Sequence, residues 1–263
     1  MDISRRNFIK IVGLETAGLF IGTPLSSRAD FWEHSGTPLS DKIAGLTMRV
    51  IGVGFAGCNM LDFMIKKNDL NDIDFIGSSY DPSYLEKSSF PSKILLGENL
   101  GNPFGLGGDA ELAYTYTMAS CATIRRRLKG SDLMIILAGM GGNTGTGGAP
   151  VVARISKDLG AWTIAIVTMP FGFEGKRRSV KAQKGHEQLK SIVDTTIVIH
   201  NNAILPLLSP SSTALDAFRK SDEIAYRGVK AFSNIPLTPR MLAMGFTDIK
   251  SAFSKGIARI GYF

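Results

Sequence analysis

A glycine-rich stretch in the middle of the chain, residues 138–150, restricts the fold more than any other segment. It reads Ala-Gly-Met-Gly-Gly-Asn-Thr-Gly-Thr-Gly-Gly-Ala-Pro, so six of its thirteen residues are glycine, more than a tight turn alone requires. A strand-like apolar run precedes it at residues 132–138, and helical spacing of apolar residues follows from Val151. Because backbone N–H groups converge in such a turn and the next helix adds partial positive charge, the stretch predicts a phosphate site. Thr144 and Thr146 would add hydroxyl groups to it.

Strand-like and helix-like segments alternate along the chain from Leu46 to Ser233. Such alternation is typical of an α/β protein, and we expect a doubly wound, mainly parallel sheet with helices on both faces, ending in a long central helix. Ligands of such sheets bind beyond the carboxyl ends of the strands, where the glycine-rich segments fall. The predicted strands are residues 46–53, 73–78, 92–96, 132–138, 162–169 and 195–200, and the predicted helices are residues 59–67, 110–128, 151–159, 176–192 and 211–233.

The composition is that of an ordinary globular protein with a sizeable core, since 44% of the 263 residues are apolar and 20% are charged. The two cysteines, Cys58 and Cys121, indicate neither a disulfide framework nor a paired zinc motif. The net charge of +7 is moderately basic, but the basic clusters at residues 125–129 and 176–178 are short and lack interleaved aromatic residues. We therefore expect no nucleic-acid partner.

The first 44 residues lie outside the predicted fold. Ser-Arg-Arg-Asn-Phe-Ile-Lys at residues 4–10 precedes a modestly apolar run at residues 11–22 and small residues at 26–29. This order resembles a twin-arginine export signal followed by a linker, with an amphipathic or disordered arm as the alternative. The apolar run is too short, and too interrupted by Glu15, for a transmembrane helix.

A second glycine motif follows the first predicted strand. Gly52, Gly54 and Gly57 match G-x-G-x-x-G, which alone suggests a dinucleotide-binding fold and an NAD-dependent oxidoreductase, with Asp81 as the ribose ligand. The spacing from the glycines to Asp81 exceeds the usual ~20 residues, and such a fold does not need the longer loop at residues 139–148. A further glycine-rich loop, residues 97–109 with five glycines, follows the third predicted strand. Three glycine-rich segments after three strands fit a nucleotide with several phosphates better, so the NAD interpretation is a remote alternative.

An acidic residue interrupts the apolar face of the long predicted helix. By its spacing of three or four residues, Asp222 shares this face with Leu215, Phe218, Ala225, Val229 and Phe232. A carboxylate buried without a partner is unfavourable. The N1–H and exocyclic amine of guanine are two donors placed for one carboxylate, and Phe218 could stack on the base. A salt bridge between Asp222 and a lysine or arginine on the helix face explains the pattern equally well.

Residues 139–147 resemble the signature G-G-G-T-G-T/S-G of the tubulin/FtsZ family, and residues 124–205 resemble the bacterial cell-division GTPase FtsZ nearly throughout. The agreement includes Val-Thr-Met-Pro-Phe-Gly-Phe-Glu-Gly-Lys-Arg-Arg at residues 167–178 and Ile-His-Asn-Asn at residues 199–202. This resemblance extends over roughly residues 46–263.

The resemblance implies a domain order and roles for individual residues. A GTP-binding α/β domain would occupy residues 45–210, and residues 211–263 would hold the long core helix, a divergent catalytic loop with Asp248 as the catalytic carboxylate, and the start of a truncated second domain. The implied nucleotide ligands are Gly54, Gly57 and Asn59 at the first phosphate loop, Gly105 and Gly107 facing the γ-phosphate, Gly139, Gly141, Gly142, Asn143, Thr144, Gly145, Thr146 and Gly147 at the phosphates, Glu174 and Arg178 near the ribose, Asn201 at the base, and Phe218 and Asp222 at the guanine.

Several loops depart from the family pattern. The first phosphate loop of the family is nearly all glycine, whereas this chain has Phe55, Ala56 and Cys58 there. Asn143 replaces the third signature glycine, which we interpret as a mild change because Asn tolerates a left-handed backbone. Ser-Tyr-Asp at residues 79–81 stands where the family has Asn-Thr-Asp.

The largest departure lies in the catalytic loop. The family's N-x-D-F-A-D reaches the nucleotide of the next subunit, but residues 243–248 read Ala-Met-Gly-Phe-Thr-Asp, so only the last aspartate is present. Losing one carboxylate that orients the attacking water predicts hydrolysis slower by about 10²–10⁴-fold.

The resemblance therefore implies an FtsZ-like protein that binds GTP and GDP, with Mg²⁺ accompanying the nucleotide, and that hydrolyses GTP weakly. Its implied partners are copies of itself in a homopolymer or a related filament protein, in cell division and septation. A catalytically impaired paralogue that modulates filaments is the alternative. Dependence on GTP favours a cytoplasmic location, whereas the resemblance of the N-terminus to an export signal favours export from the cytoplasm.

Overall fold

A computed structural model describes residues 47–100 and 109–233, together with the backbone of residues 256–258. Within these residues, seven strands form one sheet with the order β3-β2-β1-β4-β5-β6-β7, and every pair of neighbours is parallel. The strands are β1 Met48–Val53, β2 Ile73–Ser79, β3 Ser92–Leu95, β4 Leu133–Gly139, β5 Trp162–Met169, β6 Thr195–His200 and β7 Gly256–Ala258.

Seven α-helices connect or follow the strands within the described residues. Three short 3₁₀ segments also occur, at Glu98–Leu100, Gly172–Glu174 and Asn201–Leu207. The helices are α1 Gly54–Lys67, α2 Pro82–Lys87, α3 Ala110–Ala119, α4 Cys121–Leu128, α5 Asn143–Asp158, α6 Lys176–Lys190 and α7 Ala214–Ser233.

The sheet separates two apolar cores, because alternate residues of each strand point to opposite faces. In β4, Ile135 and Leu137 join the core under α1 and α7, whereas Ile136 and Ala138 join the core under α4, α5 and α6. The chain builds outward from β1 in one direction and then from β4 in the other, so the strand order reverses between these two strands. The predicted doubly wound α/β fold is confirmed.

Two predicted helix starts were wrong. We predicted α1 from Asn59 and α5 from Val151, but α1 begins at Gly54 and α5 at Asn143. The glycine content of these segments indicated loops, whereas tertiary packing makes them the first turns of helices. The glycine-rich loop that remains between β4 and α5 is only residues 140–142.

The predicted helix at residues 110–128 is two helices that meet at Ser120. The Ser120 hydroxyl accepts a hydrogen bond from the N–H of Gly97 (2.8 Å).

The predicted apolar face of α7 begins later than expected. Ala225, Val229 and Phe232 are buried, but Leu215 is 57% exposed and belongs to the surface.

Candidate functional site

A cleft of about 850 Å³ opens beyond the carboxyl ends of β1, β4 and β5. It lies where the strand order reverses, which is the usual ligand position in an open parallel sheet. Its walls come from the starts of α1 and α5, from α6 and from the first half of α7. Its volume is within the range of small-molecule and cofactor sites.

Two helix N-termini meet at one end of this cleft, which we call the phosphate end. Helix α1 begins at Gly54 and α5 at Asn143, and they approach so closely that a Cβ on Gly54 would lie 2.8 Å from the Cβ of Thr144. The first N–H groups of each helix lack partners within the helix and carry partial positive charge. This end of the cleft therefore presents backbone donors to an anion.

The loop between β4 and α5 is held in shape by its own residues. Gly141 has a φ of 89°, a left-handed conformation suited to glycine, and its N–H donates to the hydroxyl of Thr146 (2.8 Å). Because it accepts this bond, the Thr146 hydroxyl stabilises the loop, and Thr146 does not line the cleft, whereas Thr144 does.

Other glycines of the two motifs serve close packing. A Cβ on Gly147 would collide with the carbonyl oxygen of Ala110, and one on Gly57 with that of Leu137. Neither glycine lines the cleft. Within the signature segment (residues 139–147), glycine is thus required partly for backbone approach to a ligand and partly for helix packing.

Most residues that the sequence nominated come together in this cleft. Gly105, Gly107 and Asp248 lie outside the described residues, as do residues 1–44 and the loop at 243–248. The nominated residues that line the cleft are Gly54, Asn59, Gly139, Gly141, Gly142, Asn143, Thr144, Gly145, Glu174, Arg178, Asn201, Phe218 and Asp222.

The interpretation that Asn143 replaces glycine because asparagine tolerates a left-handed backbone was wrong. Asn143 is the first residue of α5, and it is not among the described residues with positive φ. A left-handed backbone is therefore not the reason that an asparagine stands at this position.

Helix α6 places basic side chains along one wall. Glu174 accepts a hydrogen bond from the N–H of Phe171 (2.7 Å) and pairs with Arg178 (3.0 Å), so the carboxylate fixes the guanidinium beside the cleft. Lys181, one turn further along α6, also lines the cleft, and sequence reasoning missed it. Its spacing of three residues from Arg178 on a helix was the signal that could have found it.

The opposite end of the cleft, which we call the base end after the position predicted for guanine, is formed by side chains. Phe218 is 40% exposed and packs edge-on against Phe171, with ring centroids 5.2 Å apart. Asn201 is buried, and its side-chain oxygen accepts a hydrogen bond from Ser221 of α7 (2.9 Å). Asp222 follows directly on α7 and lines the same space.

Asp222 has an unfavourable environment as an ion. Burial, and to a lesser degree the negative charge of Asp62, raise the pKa of Asp222 to about 7. Among the described residues no lysine or arginine pairs with this carboxylate, and none donates a hydrogen bond to it. The predicted alternative, a salt bridge on the helix face, is therefore not what the described residues form.

The wall near α1 contains the residues that depart from the family pattern. Phe55 packs edge-on against Tyr84 (4.6 Å between centroids), and the Tyr84 hydroxyl donates to the side-chain oxygen of Asn59 (3.1 Å). Asp81 caps α2 by accepting a hydrogen bond from the N–H of Tyr84 (3.1 Å), and it does not line the cleft. Its suggested role as an NAD ribose ligand is thus wrong, because its carboxylate is a helix cap.

Within the described residues, no three His, Cys, Asp or Glu side chains form a group that could hold a metal ion. The described donors at the phosphate end are backbone N–H groups and cations, so a Mg²⁺ ion accompanying a nucleotide would depend chiefly on phosphate oxygens and water there. No described helix is both long enough and apolar enough to span a membrane.

Comparisons with known proteins agree with this architecture. The model of the tubulin/FtsZ family GTPase domain matches residues 47–209. An FtsZ dimer from M. jannaschii, described as empty, is 30% identical with a TM-score of 0.71, covering 88% of this chain and 65% of that one. A mutant FtsZ from M. jannaschii is 31% identical with a TM-score of 0.73, covering 89% and 68%.

A more distant likeness concerns the fold alone. CetZ2 from Haloferax volcanii, solved as a GTPγS-bound protofilament, is 21% identical with a TM-score of 0.66, covering 78% of this chain and 64% of that one. The chain thus spans about two thirds of the length of the structures that it matches.

Proposed function

The chain belongs to the tubulin/FtsZ family, and from that premise we propose that its cleft binds GTP and GDP in one orientation. The phosphates lie against the N-termini of α1 and α5, and the guanine lies against Asp222 and Phe218. The observation that carries this proposal is the Asp222 carboxylate, which lines the cleft without a donor among the described residues. The N1–H and 2-amino group of guanine supply the two missing donors, and adenine supplies no such pair.

The remaining nucleotide contacts follow from the positions of the side chains. The backbone N–H groups of residues 142–145 donate to phosphate oxygens, and the Arg178 guanidinium, held by Glu174, contacts the ribose and adjacent phosphate. Asn201 contacts the base through its amide nitrogen, because its oxygen is occupied by Ser221. Mg²⁺, when bound with GTP, supplies charge neutralisation at the phosphates.

We further propose that the protein is a weak GTPase that acts between copies of itself. Asp248 of one copy orients the attacking water at the nucleotide of the next, as the resemblance of residues 243–248 to the family's catalytic loop implies. Since one carboxylate and one asparagine of that loop are replaced, turnover is slow. The associated role is in filament formation during cell division.

The binding proposal is tested by extracting nucleotide from the purified protein and identifying it chromatographically. We expect guanine nucleotide in near-stoichiometric amount. Adenine nucleotide or NAD in its place would reject the proposal.

The proposal of hydrolysis between copies is tested by measuring phosphate release per molecule against protein concentration. The rate should rise with concentration, because the site is complete only between two copies. A rate per molecule that is flat over this range would reject hydrolysis between copies.

A second candidate function is a nucleotide-binding paralogue that modulates filaments without turnover, and the sequence of residues 243–248 favours it. Restoring the family pattern with Ala243→Asn and Gly245→Asp distinguishes the two. A gain in phosphate release supports a weak enzyme with a divergent loop, whereas unchanged release in a protein that still binds GTP supports the paralogue.

A further inference from the structure

A lysine and an asparagine at the phosphate end form a pair across two helices. The Lys181 ammonium, in α6, donates a hydrogen bond to the side-chain oxygen of Asn143, the first residue of α5 (2.8 Å). Both residues line the cleft. The contact is partly buried, so water competes with it less than with a surface pair.

Asn143 acts through its side chain rather than through its backbone. Its φ is not positive, so glycine is not required here, and the described partner of its side-chain oxygen is Lys181. A free lysine side chain loses considerable rotamer entropy when it is fixed by a ligand. Because the hydrogen bond to Asn143 already restricts Lys181, less of that entropy remains to be lost on ligand binding.

The position of the ammonium group makes this lysine important. Asn143, whose side-chain oxygen lies 2.8 Å from the Lys181 ammonium, is the first residue of α5. The ammonium group therefore lies at the phosphate end of the cleft, where an anion would meet it.

We propose that Lys181 is a phosphate ligand that makes affinity depend on the number of phosphates, and that Asn143 is its positioning residue. This inference rests on the proposed binding of guanine nucleotides. Asn143 of the signature segment thus has a role through its side chain, which holds Lys181, and not through its backbone conformation.

The first experiment compares the dissociation constants of GTP, GDP and GMP for wild-type protein and Lys181→Met. Loss of a charge-assisted contact predicts affinity for GTP lower by about 10–100-fold, with a smaller loss for GDP and less than about threefold for GMP. The matched control is Lys184→Met, which removes the same charge from an exposed position of α6 outside the cleft. It should change all three affinities by less than about twofold. Lys181→Arg, which keeps the charge, should recover part of the GTP affinity.

The second experiment is a double-mutant cycle with Asn143→Gly, which restores the family residue and removes the anchor. Asn143→Gly alone should weaken GTP binding by about 3–10-fold, and it should add little in the Lys181→Met background because the anchored group is gone. Additive losses would show that Asn143 does not act through Lys181. Thermal unfolding of each variant identifies any that is merely unfolded, in which case Lys181→Gln and Asn143→Ala replace it.

The outcomes separate the two proposals. If wild-type protein binds no guanine nucleotide, the proposed function and this inference both fail. If it binds GTP, and Lys181→Met weakens GTP, GDP and GMP equally or not at all, only this inference fails.

Discussion

The two ends of the cleft would recognise the proposed nucleotide by different physical means. At the phosphate end the donors are backbone N–H groups, fixed by α1, α5 and the hydrogen bond from Gly141 to Thr146. At the base end the proposed recognition group is one carboxylate, Asp222, whose environment disfavours its charge. The donors of one end are therefore preorganised in the folded chain, whereas the carboxylate of the other end would gain its donors from the proposed ligand.

This difference teaches where stability and specificity reside in the molecule. The backbone of the phosphate end is held by close packing of the sheet and helices, so added volume at its packed glycines should act on folding. At the base end, burial disfavours the ionised form of Asp222. Changes there should therefore act on nucleotide choice and on the pH dependence of binding. Substitutions at each end of the cleft test this division.

The strongest test of the packing behind the phosphate end is Gly147→Ala. Alanine is favoured over glycine within a helix by about 1 kcal/mol, but a Cβ here would collide with the carbonyl oxygen of Ala110. We expect a net loss of roughly 3 kcal/mol in the free energy of unfolding, or failure to fold. Chemical denaturation measures it.

Gly142→Ala is the matched control for that prediction. A Cβ on Gly142 would have its nearest described neighbour at 3.7 Å, and its φ of −77° suits alanine. Its stability should remain within about 0.5 kcal/mol of wild type. Equal effects of the two substitutions would contradict the packing role of Gly147.

At the base end, Asp222→Asn should change which base is bound. An amide donates to the 2-oxo group of xanthine but repels one donor of guanine, so GDP affinity should fall by about 10–100-fold while xanthosine diphosphate affinity rises. Fluorescence or calorimetric titration measures both. A parallel loss for the two nucleotides would mean that Asp222 does not read the base.

The same carboxylate predicts a pH dependence of binding. Guanine donors require ionised Asp222, whose pKa in the free protein is about 7, so GDP affinity should fall about tenfold between pH 8 and pH 6. The change in GDP affinity of Asp222→Asn between the same pH values reports all other titrating groups, including the phosphate. It is subtracted from the change measured for wild type. An identical pH profile in both proteins would remove Asp222 from guanine recognition.

The same carboxylate also affects the stability of the nucleotide-free protein. Burial raises the pKa of Asp222 from an ordinary value of 3.8 to about 7, so the folded state binds more protons than the unfolded state between these values. Its contribution therefore lowers the free energy of unfolding as pH rises through this window, on the order of 2–4 kcal/mol. Asp222→Asn should be more stable than wild type at pH 8, and this advantage should disappear near pH 4. Chemical denaturation of both proteins at pH 8 and pH 4 measures this difference. Equal free energies of unfolding at pH 8 would contradict a destabilising effect of the ionised Asp222 carboxylate.

Sequence reasoning was most successful for the strands and the cleft. Strand periodicity gave Trp162–Met169 and Thr195–His200 with the bounds that the structure has. The position of the cleft followed from the glycine-rich segments, because they come after parallel strands. Asp222 was nominated because a carboxylate is exceptional on an apolar helix face, and that exception is what the structure shows.

Sequence reasoning failed where tertiary packing decides the local structure. Glycines at 145, 147 and 148 belong to α5, because its first turns pack closely on neighbouring backbone and on Thr117. No local pattern shows such packing. The contact between Lys181 and Asn143, and the cap formed by Asp81, likewise depend on side-chain geometry that spacing does not specify.

The most direct test of the central claim is calorimetric titration of the nucleotide-free protein with GDP, IDP and ADP at pH 8. All three have the same phosphates, so the phosphate end treats them alike, and only the base end distinguishes them. We predict that GDP binds tightest, that IDP, which lacks the 2-amino group, binds about tenfold more weakly, and that ADP binds weakest. Equal affinities for GDP and ADP would contradict the assignment of Asp222 and Phe218 as the guanine site.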